Sequence, residues 1–282
     1  MTSTEIKEQQ RELWNKFSLG WKKWDNFVMS WLKPIGEKLL EKVQLRNGEK
    51  ILDVATGTGE PGISAAKLMP NATIVGIDLS EEMVQLANQH SKEKRAANYS
   101  AQVEDIQQGL SFTDNYFDKI ICRFGIMFFP NPASDFKEIV RVLKSGGRIT
   151  FSAWAEPSKN PWATTAASVI NKLLELPAPP TDAPGIFRHS NPNSLRQLFM
   201  EAGLTNIVEE EITGSIVFDN SEKYWEFVMD VVAPVAIPLS KADDATRQKA
   251  KEKVIEECSR FKKENGKIIF PWSSWICSAV KL

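Results

Sequence analysis

Side chains that carry most covalent catalysis are scarce here: three cysteines, two histidines and three tyrosines among 282 residues. Cys122, Cys258 and Cys277 are widely spaced and odd in number. They make neither a zinc signature nor a disulfide framework, so no metal site is expected and a reducing cytoplasm is the default compartment. Net charge is lacking as well: 35 basic minus 36 acidic residues leaves −1. Bulk electrostatic attraction to nucleic acid or an anionic membrane is therefore absent. No run approaches the ~20 apolar residues of a membrane span. The polar start MTSTEIKEQQRELW is not expected to act as a secretory signal. Disorder is excluded in turn, because 42% of the residues are hydrophobic and the charges nearly cancel. A soluble, metabolite-handling or interaction protein remains.

What the chain does have is tryptophan, nine in all, four of them in the first 45 residues. Trp14, Phe17, Trp21, Trp24, Val28 and Trp31 recur at steps of three or four, which predicts a helical cap over residues 1–45. Gly20 is expected to interrupt this stripe, and Pro34 to end or restart the helix. From Asn47-Gly48 onward, strand-like runs alternate with helix-like ones: KILDVA, ATIVGID, NYSAQVED, FDKIICRF and RITFSAW, with helices over 61–68, 81–90 and 133–143. Such alternation predicts βαβ units and a parallel sheet. Ser80 is placed to cap one helix, and Asn191-Pro192 to open another that Gly203 closes. Prolines crowd a surface loop over 175–190, including Pro177, Pro179, Pro180 and Pro184. Residues 221–265 read as helical and charged, within an insertion expected over 214–265, and KIIFPWSSWICSAVK reads as a returning last strand.

The most informative segment is LDVATGTGEPG, which follows the first strand and opens a helix. Gly57, Gly59 and Gly62 satisfy G-x-G-x-x-G, where bare backbone turns sharply and admits a ligand. The second strand ends at Asp78, 78 − 59 = 19 residues after Gly59, where a carboxylate suits the two hydroxyls of a ribose. An adenosine-type ligand is implied. Asp53, four residues before Gly57, places a negative charge toward the loop and suits a cationic ligand better than a pyrophosphate. Glu104-Asp105-Ile106 ends the third strand with an acceptor for an adenine amino group and an apolar cover for the ring. Two classes stay open on these residues. One uses a cationic adenosyl cofactor. The other is an NAD(P)-dependent oxidoreductase or epimerase, against which stand Asp53, Glu104-Asp105 and the absence of a Tyr-x-x-x-Lys pair.

LDVATGTGEPG, VGIDLS, VEDIQ, FDKIICRFGIMFF and LKSGGR occur in the order found in class I S-adenosylmethionine-dependent methyltransferases. The chain resembles their small-molecule group, the ubiquinone/menaquinone-biosynthesis-like C-methyltransferases, strongly over 46–155 and moderately over 190–213. The resemblance implies a Rossmann-like three-layer α/β sandwich, with a mainly parallel seven-stranded sheet and an antiparallel last strand. It also implies a single domain, 1–282: the helical cap, a cofactor-binding core over 46–155, and the 214–265 insertion as part of a substrate lid. S-adenosyl-L-methionine is the implied cofactor. Asp53, Ala55, Gly57 and Gly59 would surround its methionine part, Asp78 its ribose, and Leu79, Asp105 and Ile106 its adenine. Arg123, at the tip of the fourth strand, would lie near the reaction centre. Ala55 stands where the family places its first glycine, tolerable if φ there is negative.

The expected reaction is methyl transfer to a small, partly hydrophobic metabolite, on carbon or oxygen. A binding module that retains the cofactor without turnover is the other alternative. His189 is the base candidate by residue type, with a helix-entry role as its competing reading; Arg123 is the second candidate catalytic residue. Trp21, Trp24 and Trp154 are candidates for the acceptor pocket, and His90, ending a charged helix, is expected to be solvated. Enzymes acting on base amines carry Asn/Asp-Pro-Pro-aromatic after the fourth strand. Asn131-Pro132-Ala133-Ser134 lacks the second proline. No nucleic-acid partner is expected, and assembly of identical chains is left open.

Overall fold

A computed structural model describes residues 2–178, 180 and 183–282. Pro179, within the expected proline-rich loop, lies outside the described residues. The strands are β1 (Lys50–Val54), β2 (Thr73–Asp78), β3 (Tyr99–Val103), β4 (Phe117–Arg123), β5 (Leu143–Trp154), β6 (Thr205–Phe218) and β7 (Ile268–Val280). They form one sheet in the order β3-β2-β1-β4-β5-β7-β6. β1 to β5 pair in parallel, whereas β7 is antiparallel to both β5 and β6.

Alternate residues of each strand face opposite sides, so the sheet builds a core on each. Ile51 and Ile121 join Leu40, Val43, Ile63 and Ile74 on one face. This is the side of α2 (Gly62–Leu68) and of the end of α1 (Ser3–Val43). Leu52, Val54, Ile120 and Cys122 join Phe136, Ile139 and Phe199 on the other, beneath α4 (Pro132–Val142) and α6 (Ser194–Glu201). α3 (Glu81–Glu93) connects β2 to β3, its first turn capped by Ser80 Oγ on the Met83 amide. α6 begins at Ser194 with Asn193 as its cap, so Pro192 precedes the helix rather than opening it.

A further, aromatic core lies where α1 meets α5 (Pro161–Leu173), α7 (Ser221–Val231), α8 (Ala233–Ser240) and α9 (Asp244–Cys258). The three last helices form the insertion between β6 and β7. Its helical part starts at Ser221, because 214–218 continue β6 and pair with β7 from Gly214 opposite Trp272 to Phe218 opposite Ile268. No described helix is long and apolar enough to cross a membrane.

The cap departs from expectation. α1 is one helix of 41 residues that passes through both Gly20 and Pro34. An interior proline costs about 3 kcal/mol, but Val28, Trp31, Leu32, Ile35 and Leu39 around it are all buried. Burying side chains of this kind returns about 1.5–3 kcal/mol each. Gly20 does not break the helix; it lets α7 approach, since a Cβ there would overlap the backbone carbonyl of Asp230. Gly20→Ala should therefore destabilise the protein, by up to about 2 kcal/mol, in urea unfolding. The steric cost of about 1–3 kcal/mol outweighs alanine's helical gain of about 1 kcal/mol. A stabilised variant would refute the close approach.

Candidate active site

The parallel order sets the carboxyl ends of β3, β2, β1, β4 and β5 side by side, carrying in turn Asp105, Asp78, Asp53, Arg123 and Trp154. Asp53 is 1% exposed. Its Oδ2 accepts from the Thr56 hydroxyl (2.7 Å) and the Gly62 amide (3.0 Å). Gly62 is needed for this approach, because a Cβ would stand 2.6 Å from that oxygen. Thr56 spends its hydroxyl proton on Asp53, so the Tyr99 hydroxyl, 2.8 Å away, donates to Thr56. Asp53 Oδ1 is buried with no protein donor. Burial pushes its carboxyl up to about 7, partly opposed by Thr56, by the charge of Arg123 and by Gly62.

Asp78 accepts the Gly57 amide on Oδ2 (2.9 Å) and the Ser80 amide on Oδ1 (3.0 Å). Burial raises its pKa against these bonds. Gly59, at φ +106, takes a backbone geometry that a side chain would strain. Ala55 is also left-handed, with φ +52, contrary to the negative φ expected for it. The loop must turn there whichever residue is present, and the strain of an L-residue in this region costs about 1–2 kcal/mol.

Arg123 has no ion pair among those of the described residues; its one hydrogen bond runs to the Met29 thioether (3.1 Å). Burial lowers its pKa, while Glu60, Asp53 and Asp25 oppose that through space. Phe124 follows with φ +63, a strained value for a bulky residue. Its amide is tied to Ser152 Oγ (3.2 Å), and its ring stacks on Trp154 at 4.0 Å and 9°. Trp31 and Trp162 close around Trp154 at 5.8 and 5.0 Å.

α1 is tied by polar bonds to the loops that follow β1, β2, β3 and β4. Ser3 Oγ accepts from Gln107 and Asn131. Lys7, itself buried, pairs with Asp105 at 2.6 Å. Ser80 Oγ donates to Asn15 (2.6 Å), and Thr58 Oγ to Asp25 (2.8 Å). His90 is buried rather than solvated, since its Nδ1–H reaches the Thr58 carbonyl at 3.0 Å, close to Asp25. Sequence reading passed over Lys7, Asn15 and Asp25. A signal was available: Lys7 and Asp25 are 18 residues, or five turns, apart and share the helix face of Trp14 and Trp21.

Leu79 and Ile106 are half-buried beside Asp78 and Asp105. Trp21 packs on Trp14 with its indole N–H buried and without an acceptor. Trp24 donates to Asp230 and meets Phe227 edge-on at the α1–α7 contact. His189 follows Arg188, whose guanidinium donates to the Phe129 carbonyl in the loop after β4. Its Nδ1 is 3.0 Å from Ser194 Oγ at the entry to α6, and burial, aided by Arg188, pushes its pKa down to about 4.

A glycine loop beneath a 3-2-1-4-5-7-6 sheet, with acids on successive strand ends, defines a nucleotide-binding enzyme of the methyltransferase type. A family model described as a methyltransferase domain matches residues 45–203, and the chain belongs to that family. Among relatives is the ubiquinone/menaquinone biosynthesis C-methyltransferase UbiE of Yersinia enterocolitica. It is 27% identical over 183 residues, 61% of this chain and 73% of that protein. The YcgJ protein of Bacillus subtilis has a similar fold, with TM-score 0.56, 21% identity, and 88% and 98% of the two chains covered. So does Haemonchus contortus phosphoethanolamine N-methyltransferase 2 solved with S-adenosyl-L-methionine, with TM-score 0.52, 16% identity, and 88% and 52% covered. The chain is an S-adenosylmethionine-dependent methyltransferase of the small-molecule group.

Relieving the backbone at Ala55 with Ala55→Gly should raise unfolding stability by about 0.5 kcal/mol or more; a loss would refute the left-handed geometry. Asp53 gives a pH dependence. Its folded pKa of about 7 exceeds the ordinary 3.8, so the folded chain holds this proton longer than the unfolded one. The stability it contributes is complete below pH 3.8 and is lost as pH rises through 7. Urea titrations from pH 4 to 8 should show a falling component in the wild type that Asp53→Asn removes. An identical profile in the variant would exclude it.

Proposed function

We propose that the cofactor lies across the strand ends in the order adenine, ribose, methionine and methyl, over β3, β2, β1 and β4 respectively. The observation that carries this reading is the sequence of charges along that edge: three carboxylates on neighbouring strand ends, then one guanidinium without an ion pair. Asp105 accepts from the adenine amino group, for which Lys7 shares or yields its place, while Leu79 and Ile106 flank the ring. Asp78 has one lone pair on each oxygen left for a ribose hydroxyl after its two backbone bonds. Asp53 Oδ1, buried without a donor, fits the methionine ammonium group. Ala55, Gly57 and Gly59 form the loop beneath it.

S-adenosylmethionine, when bound, supplies an electrophilic sulfonium methyl group. The chain's own work is alignment and exclusion of water. Arg123 offers donors to an anionic group of cofactor or acceptor. Phe124 stacked on Trp154 provides an aromatic wall next to it, with Trp31 and Trp162 packed at an angle around Trp154, and Trp21 and Trp31 each add an unused indole donor. Such a wall suits a small, partly hydrophobic, planar acceptor. Methylation on carbon is favoured over oxygen: the relative named above is a C-methyltransferase, and His189, with a pKa of about 4, is a weak base at neutral pH. His189 is read as a helix-entry residue. A cytoplasmic enzyme acting on metabolites rather than nucleic acid accords with the net charge of −1 and three free, buried cysteines.

Asp78→Ala should weaken S-adenosylmethionine binding at least tenfold in calorimetry. Incubation with methyl-labelled cofactor and fractionated cell metabolites should move label into a small apolar compound. Unchanged affinity in the variant, tighter binding of NAD, or label in RNA would each overturn the reading.

A further inference from the structure

Between α1 and the helices of the β6–β7 insertion runs a groove of about 720 Å³ that shares no lining side chain with the strand-end site. Its volume is within the range of clefts that take up a small organic ligand, though it lies open to solvent along one side. The groove is built in two tiers. Phe17, Trp225, Met229, Ala236, Ile237 and Leu239 supply its apolar part. Ala236 and Leu239 are buried while Trp225, Met229 and Ile237 are half-buried, so this surface is recessed between helices rather than raised on them. α9 turns Ala250, Val254 and Cys258 inward, which leaves Arg247 and Lys251, one turn apart, along the edge of the groove.

Lys16, from α1, is the third cation. Arg247 is paired with Asp244, and Lys251 with Glu222 at 2.7 Å. Lys16 has no ion pair among those of the described residues. The two tiers thus present an apolar trough and an edge of three cations and the lining carboxylate Asp244, with one positive charge, that of Lys16, left over.

We propose that this groove binds a single long-chain amphiphile with one anionic head, its chain along Phe17, Trp225 and Leu239 and its head at Lys16, Arg247 and Lys251. A recessed trough takes up one chain, whereas a bilayer surface needs apolar side chains that project. The proposal is independent of where the methyl group goes.

Calorimetry of the full chain with dodecanoate below its micelle concentration tests it, with dodecylammonium as the cationic counterpart. Dodecanoate should saturate at one per chain and bind at least tenfold more tightly than dodecylammonium. Lys16→Glu and Ile237→Glu should each weaken it about tenfold, with S-adenosylmethionine binding retained as the sign of an intact fold. If Ile237→Glu does not fold, Gln248→Glu, which adds an anion to the exposed edge, should weaken dodecanoate instead. No saturable binding, equal affinity for both head groups, or indifference to Lys16→Glu and to the second variant would overturn the proposal. So would binding confined to phosphatidylglycerol vesicles.

Discussion

Parallel pairing around β1 is the constraint from which the rest follows. Ile51 to Asp53 lie opposite Ile74 to Gly76 on one side and Lys119 to Ile121 on the other. With the registers so set, the strands finish together, and whatever residue ends each strand becomes a neighbour of the next. Acidic groups separated by tens of residues in sequence are thereby placed in a row. The same pairing leaves both faces apolar, which calls for helices on each side and makes every connection return over the sheet.

The row of acids would be costly if left bare. Asp53 and Asp78 are desolvated, and each is held by backbone amides of the glycine loop and its neighbours. Binding loop and ligand groups are thus one network: the carboxylates that shape the loop keep free oxygens or lone pairs on their other side. The raised pKa of Asp53 expresses the imbalance that remains. A cationic ligand relieves it, which is why the chemistry of this edge favours a sulfonium cofactor with an ammonium group over a pyrophosphate.

α1 adds a second level of organisation. Its last turns are ordinary core, with Leu39, Leu40 and Val43 against the sheet, while its first turns are fastened to the loops by Ser3, Lys7, Asn15 and Asp25. One helix therefore joins the stability of the core to the shape of the cleft. The same helix meets the insertion at Gly20, Lys23 and Trp24.

Local chemistry made much of this legible from residues alone. Strand and helix periods, the Ser80 cap, Gly57, Gly59 and Gly62, and the acids at 53, 78 and 105 each act over a few positions, so their pattern survives in one dimension. Ala55 was misjudged because φ there is imposed by the turn, not by the residue. Gly20 and Pro34 were misjudged because local propensity was weighed without the burial of Val28, Trp31 and Ile35 that overrides it. Lys7 with Asp105, Asp25 with Thr58, and Phe124 on Trp154 depend on contacts across as many as 98 residues, and no spacing rule reaches so far. Sequence by itself determined the parallel strands, the loop and an adenosine-type ligand, because these follow from periodicity and residue type. Tertiary structure decided which side chains cover the cleft, which aromatics border it and where the outer groove lies, because only packing brings distant helices to one place.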